Sequence, residues 1–430
     1  MAQPSQPTPN LNAPPRLRRP ERQQLIVQPR TLDDLVPEDH PVRAIWALVQ
    51  RWDLTRFLPC IRARGDRPGR AATDPQWLIA LWLYATIEGI GCGRQLNRLC
   101  TESDPYKWLC GGGSLNYHTL NEFRVDHEAA LDDLLTQMIA VLTQAQIVSL
   151  ERIALDGTRI RGSAGGNSFG ERETLEKHLE AARAHLEEIK RSAADPMLSP
   201  QRKAARERCA RERHERLEPA LVELKKVEEA QARQKDKPTK SHPARASSTD
   251  PEARLMRMPD GGTRPAYNLE LATDCGSRAI VGVAMTNAGS DAGQDAAMRD
   301  QVEERADEAV FEQLMDGGFV SLEAIDRAAA EEVIVSAPVP KPRNKEVDRY
   351  VPKPGDSAAV GEWRQRMGTV AAQQVYKERS STIETVNGEL KTEPGLGRLL
   401  VRGLRKVQCA ALWSALAYNV VHFGPILLSE

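Results

Sequence analysis

The sequence predicts an α/β protein: a mixed sheet with helices on both faces, preceded by an all-α N-terminal domain and interrupted by a helical-hairpin insertion. Three observations carry that expectation. From residue 149 onward short apolar runs with β-branched residues recur, whereas the residues before it form short helical segments joined by glycine turns. Two of the later runs end on an aspartate followed by glycine, Leu155-Asp156-Gly157-Thr158 and Met315-Asp316-Gly317-Gly318-Phe319. Between them lies a stretch whose apolar residues alternate steps of four and three, the pattern of helices with narrow seams.

Taken in order, residues 1–22 carry Pro4, Pro7, Pro9, Pro14, Pro15 and Pro20, a composition that predicts a disordered tail. Residues 23–148 are expected to be helical. Thr31 to Pro41 holds capped starts leading into a helix from Val42 to Trp52, Asp74-Pro75 opens a second helix over 76–88, and the glycine turns at Gly89-Ile-Gly-Cys-Gly93 and Gly111-Gly-Gly113 separate further short helices. Such a unit suits a helix-turn-helix-like DNA-binding domain or an ordinary helical bundle. The triple glycine is no phosphate loop, because it lacks both the Gly-Lys-Ser/Thr ending and a preceding strand.

The sheet is expected over 149–170 and 260–425. Residues 149–155 form a strand delivering Asp156 at its end, 267–274 and 278–286 form a hairpin around Cys275-Gly276-Ser277, 291–306 is helical, 310–315 is a strand ending at Asp316, and 332–336 is another strand. With the first and fourth strands as neighbours, Asp156 and Asp316 stand about 4.8 Å apart at the backbone. Asp274 and Asp291 compete as second carboxylate; hairpin and helix-cap roles fit them better. The insertion, 171–259, holds seams of Leu175, Leu179, Ala182, Leu186 and Ile189, then Ala210, His214, Leu217, Leu221 and Leu224, with Pro196 and Pro200 separating the two helices. Its mixed charges read as a solvated exterior rather than a DNA groove, and His178, His185 and His214 are single histidines with no metal role.

Net charge is −1, so the whole-molecule field does not announce a nucleic-acid binder. Local sign matters more: Arg16, Arg18, Arg19 and Arg22, the set Arg62, Arg64, Arg67 and Arg70, and Lys391, Arg398, Arg402, Arg405 and Lys406 form basic patches of the kind that releases counterions from DNA. Seven cysteines without a C-x-x-C pair fit free thiols in a reducing cytoplasm. The polar, proline-rich start lacks the features of a signal peptide, and the longest apolar run, 77–87, is too short to span a bilayer, so a cytoplasmic protein without a membrane is expected.

A late helix completes the pattern: Tyr376-x-x-Arg379-Ser-Ser-Thr-Ile-Glu384, with Lys391 beyond. Glu384 and Lys391 are seven residues apart, nearly two helical turns, so a carboxylate and a phosphate-seeking ammonium share one face. An Asp-Gly pair alone is a common turn; acids in this order, each after an apolar run and followed by a basic helix, suit two metal ions that activate a nucleophile and stabilise charge on phosphorus.

On those residues the chain resembles the DDE transposases of bacterial insertion sequences, in the branch with a Tyr-Arg-Glu-Lys signature near the C-terminus. Flanking residues Glu362-Trp363-Arg364-Gln-Arg366-Met367 and Val401-Arg402-Gly403, followed by the apolar 410–421, share the likeness, which covers about 25–421. The resemblance implies a ribonuclease-H-like catalytic domain, a DNA-binding role for the front helices, catalytic and metal-holding Asp156, Asp316 and Glu384, and DNA contacts from Tyr376, Arg379 and Lys391. It implies two Mg2+ ions, with Mn2+ substituting, Asp156 bridging them and Asp316 and Glu384 each holding one. It implies double-stranded DNA as substrate, cleavage of the terminal inverted repeats with strand transfer into target DNA, a homodimer on DNA, and association with the nucleoid. The strict signature has three residues between Arg and Glu, whereas four intervene here, Ser380 to Ile383; the stretch 337–357 is short for the β-rich insertion of some relatives, which argues against a hairpin intermediate; and Asn387 stands where an aromatic residue is common. Two other classes stay open: a nuclease that cuts without strand transfer, and a non-catalytic DNA-binding repressor.

Overall fold

The structure is a computed structural model that describes residues 29–65, 71–191, 199–233, 243–344, 346–392 and 396–429. The expected tail, the arginines at 16–22, 67 and 70, and Pro196 lie outside these residues.

The front helices are α1 (Pro41–Arg51), α2 (Pro75–Ile87), α3 (Gly93–Glu102), α4 (Asp104–Cys110), α5 (Tyr117–Asp126) and α6 (Glu128–Gln144). Proline at the first turn fixes the entry of α1 and α2, where the His40 and Asp74 side chains accept the otherwise orphan N–H groups of Val42 and Gln76. The apolar run expected to be buried is α2, hidden from Leu78 to Thr86 on every face. Its Trp82 indole donates to the Leu120 carbonyl (2.9 Å), tying α2 to α5.

Strand β1 (Arg152–Arg161) opens the sheet. A short ladder of β2 (Phe169–Gly170) with β3 (Ala246–Ser247) closes the base of a hairpin made by α7 (Arg172–Arg191) and α8 (Pro200–Arg233). The hairpin has its own apolar cluster, with Leu175, Leu179 and Ala182 against Leu217, Ala220 and Leu224, as the seams predict. Pro200 begins α8 rather than standing in the connection, the favoured first-turn position for proline.

The sheet continues with β4 (Arg254–Arg257), β5 (Thr263–Asp274), β6 (Ile280–Thr286), β7 (Glu312–Leu314) and β8 (Ile334–Ser336), in the order β4-β5-β1-β7-β8 with β6 also on β5. The expected neighbours, first and fourth sequence-predicted strands, are β1 and β7, paired in parallel. Two expectations need correction. The sheet resumes at Arg254, inside the segment assigned to the insertion, because the four residues of β4 pair with Thr263 to Ala266 although their arginine-flanked sequence carries little strand signal. Strand β1 does not end at Asp156: it pairs with β5 as far as Arg161, and the Leu399 N–H binds the Arg161 carbonyl (2.8 Å) on its other edge. Asp156-Gly157 is therefore extended strand and not a turn.

Helices α9 (Asp295–Ala306), α10 (Leu322–Ala330), α11 (Ala358–Met367) and α12 (Val370–Arg379) follow, then α13 (Thr385–Thr392) and α14 (Leu404–Ser429). The last is long and apolar enough to cross a membrane, but most of it is buried inside the protein, against α6, β6, α2, α5 and α1. Front helices and sheet thereby share one continuous apolar core. Polar residues of α14 also close the outer edge of β6: Asn419 exchanges two hydrogen bonds with the Ile280 backbone (3.0 and 2.9 Å), and Gln408 binds Met285 N–H (2.6 Å).

Candidate active site

Asp156 and Asp316 lie equally far beyond a paired position. Ala154 of β1 stands opposite Leu314 of β7, and each aspartate comes two residues later, so both lie at the same level of the sheet, where β7 ends and β1 runs on beside β5. There β7 stops and the chain turns: the Asp316 carboxylate accepts Gly318 N–H (2.7 Å), an Asx turn.

Two further acids converge on this point. Glu270 of β5 pairs across from Gly157, and Asp291 reaches in from the loop before α9. A Cβ added at Gly157 would stand 2.4 Å from Asp291 Oδ1 and 3.0 Å from Glu270 Oε2, and one added at Gly318 would stand 3.0 Å from Asp291 Oδ2 and 2.9 Å from Asp316 Oδ1. Glycine is required at both positions because carboxylates fill the space a side chain would take. Asn268 holds the pair from below, its amide donating to Glu270 Oε1 (2.6 Å) and Asp291 Oδ1 (2.5 Å). Asp291 is thus no helix cap; α9 starts at Asp295 with Gln294 at its N-cap. Asp274 does fill the hairpin role, accepting the Ser277 N–H (2.7 Å) and hydroxyl (2.6 Å).

Crowded burial raises Asp156 and Glu270. Burial, reinforced by Asp316 and Asp291 and opposed by Arg379 and Lys391, pushes Asp156 up to about 6. Burial and the charges of Asp291, Asp156 and Asp316 push Glu270 up to about 8.

The late helix supplies the compensating groups. Arg379 Nη2 donates to Asp156 Oδ1 (2.5 Å) and its Nε to the Leu155 carbonyl (3.4 Å); Asn387 Nδ2 donates to Asp156 Oδ2 (2.6 Å); Lys391 Nζ donates to Thr158 Oγ1 (2.6 Å). Tyr376 is half-buried beside Arg379, and burial raises its phenol above the ordinary range. Arg379 and Asn387 are eight residues apart, which an unbroken α-helix would leave roughly 80° apart in direction. They meet on one carboxylate because Ser380–Glu384 is a π-turn joining α12 to α13. A π-turn takes in one extra residue, about 100° of helix, and leaves the two within roughly 20°. The fourth residue between Arg379 and Glu384 is absorbed there.

Glu384 is the expected site residue that does not reach the cluster. It lies at the end of the π-turn, exposed, and makes no hydrogen bond or ion pair among the described residues. It does keep the stripe of Lys391, roughly 20° away on the helix. From the sequence, Glu270 and Thr158 carry no site role, Asp291 reads as a helix cap, and Asn387 stands out only as a departure from the signature. Asn268 and Glu270 carried a readable signal: two polar residues at period two inside the apolar strand Tyr267-Asn-Leu-Glu-Leu-Ala share one buried face, which needs a reason.

The donor set suits a hard divalent cation: oxygen atoms only, carboxylates and one amide, with Glu270 Oε2 and Asn387 Oδ1 buried and unpartnered among the described residues. Among the described residues no three acidic, histidine or cysteine side chains already stand at mutual ligand spacing; Arg379 and Asn387 hold Asp156 in its present position. Trp363, in the run that flanks the signature, is buried in α11.

Residues 30–126 match the family model described as Transposase domain (DUF772), and residues 344–423 match Transposase DDE domain. No curated protein and no solved structure matches the chain. The first match spans α1 to α5 and the second α11 to most of α14, segments that pack together through α14, and the second contains Tyr376, Arg379, Glu384 and Lys391.

Proposed function

We propose that this chain, which belongs to the DDE transposases of insertion sequences, cuts the ends of its element and joins them to target DNA with a ribonuclease-H-like centre built on Asp156, Asp316 and Glu384. Transposases of this family act on DNA with divalent metal ions; Mg2+, in two sites, is our assignment, with Mn2+ able to replace it. The observation that carries the reading is the convergence of Asp156 and Asp316 from parallel neighbouring strands with a helix presenting Arg379 and Lys391 to the same place. Glu384 is the third acid on the strength of its place on the stripe of Lys391 and a carboxylate with no competing partner among the described residues.

When bound, the metals supply Lewis-acid stabilisation of charge on the phosphorus and an activated nucleophilic oxygen. The chain's own part is positioning. Asp156 and Asp316 hold hard oxygen ligands at a fixed strand spacing. Arg379, two of whose five N–H donors are spent on β1, and Lys391 offer charge-assisted hydrogen bonds to phosphate oxygens near the acids, and the Tyr376 hydroxyl offers a third donor. The front helices contribute end binding, and two copies act on paired ends.

Asp156→Asn, Asp316→Asn and Glu384→Gln each keep side-chain size and remove an anion, so each should abolish cleavage of DNA carrying the element's ends in Mg2+ while DNA binding in a gel-shift assay persists. Normal cutting and joining by Asp156→Asn would refute the reading as a whole, and normal activity of Glu384→Gln would remove that residue from the centre. Cleavage without joined product in the wild type would make the chain a nuclease.

A further inference from the structure

The acids that converge beside Asp156 and Asp316 include one that is 1 % exposed, with an oxygen unpaired among the described residues. Among the described residues Glu270 Oε2 has no partner, yet it is aimed at the cradle left by Gly157, where Asp291 Oδ1 also lies. An unpaired carboxylate oxygen sealed from water is costly, and fold stability gives no reason to keep it there. Asn268 spends one amide group on both acids, fixing Glu270 Oε1 and Asp291 Oδ1 at a common donor and turning the remaining oxygens, Glu270 Oε2 and Asp291 Oδ2, toward Gly157 and Gly318. Those two glycines directly follow or nearly follow Asp156 and Asp316 in the chain.

We propose that Asp291 is a direct ligand of the divalent metal held by Asp156 and Asp316, and that Glu270 is the buried carboxylate that positions and charge-balances it. That metal site then draws on strands β1 and β5, the turn after β7 and the loop before α9, with Glu384 of the late helix still the third acid of the centre. This rests on the functional reading above, and deepens it by making Asp291 and Glu270 part of the metal site. It also explains glycine at 157: a methyl group there would collide with both acids.

The test is calorimetric titration of the metal-free full-length protein with Mn2+, without DNA. Asp291→Asn should weaken Mn2+ binding at least roughly tenfold, and Glu270→Gln roughly tenfold, the range expected when a ligand or its support is lost. Asp291 is half-buried at a loop, so its amide should leave thermal unfolding of the metal-free protein unchanged; if that variant fails to fold, Glu270→Gln decides by the same titration. Wild-type Mn2+ affinity in both variants, with binding lost in Asp156→Asn, would overturn the proposal and leave the functional reading standing. A wild-type protein that takes up no Mn2+ would overturn both.

Discussion

The Asp156 side chain is balanced between opposing demands. Neighbouring acids and burial favour its protonated form, while Arg379 and Asn387 bind its anion at both oxygens. Glu270 faces the first pressure with only Asn268 in support. Both acids lie above their ordinary values in the folded chain, so folding takes up protons, and this stabilising contribution is complete only at acid pH. It is lost as pH rises, first through about 6 for Asp156 and then through about 8 for Glu270. Metal-free protein should therefore melt at a lower temperature at about pH 8.5 than at about pH 5, by a few kcal/mol in stability, and Glu270→Gln should flatten the upper half of that decline. A melting temperature that climbs across the window in wild type, or a slope unchanged by Glu270→Gln, would contradict the account. At this scale Asp156, Asp316, Arg379 and Lys391 were legible because each sits in a short motif. In the sequence Asp291 competes as a second carboxylate but reads as a cap, since a loop aspartate just before a helix has the same local sequence as a cap, and only the folded loop carries it to Gly157.

The π-turn decides how the late helix works as an element. Five residues, Ser380–Glu384, shift the helix so that residues before and after it address the same strand. Deleting Ser381 would leave three residues between Arg379 and the glutamate and allow an unbroken α-helix with nearly the same facing residues. Such a variant should keep its thermal stability to within about 1 kcal/mol and retain DNA cleavage. Inserting one alanine after Ser381 should instead swing Asn387 and Lys391 by about 100°, freeing Asp156 Oδ2 and Thr158, and cleavage should fall sharply. Equal activity in the two variants would mean that register is not what the turn sets. The helical segments, the hairpin of β5 and β6 and the two seams of α7 and α8 were readable from periodicity, which is a property of each stretch alone. The extension of β1 past Asp156 and the presence of β4 were not, because both depend on partners far away in sequence.

In the whole molecule, α14 joins what the sequence presents as separate blocks. Trp413, 1 % exposed, donates its indole N–H to the Arg124 carbonyl (3.1 Å), and the Cys409 thiol to the Val125 carbonyl, fixing the C-terminal helix on α5. Trp413→Ala should remove about 3 to 5 kcal/mol. Because the core is continuous, the front helices and the acid-bearing sheet should lose structure together, in one transition by circular dichroism and by tryptophan fluorescence. Two separated transitions would mean that the core divides. No local pattern announces this coupling, since an apolar helix reads the same whether it packs on a sheet, on other helices or in a lipid bilayer.

That arrangement has a consequence for synthesis. The ribosome finishes α6 at residue 144 and begins α14 only at residue 404, so at roughly 5–20 residues per second the front helices wait about 13 to 52 s for their last packing partner. During that interval the faces of α1, α2, α5 and α6 that α14 will cover are open to water and to other nascent chains. Chains stopped before Leu404 should accordingly be digested rapidly by protease and should bind hydrophobic dyes, whereas the full-length chain should resist both. A competent fold then becomes possible only once α14 has been made, so a message interrupted before Leu404 yields no partly competent protein.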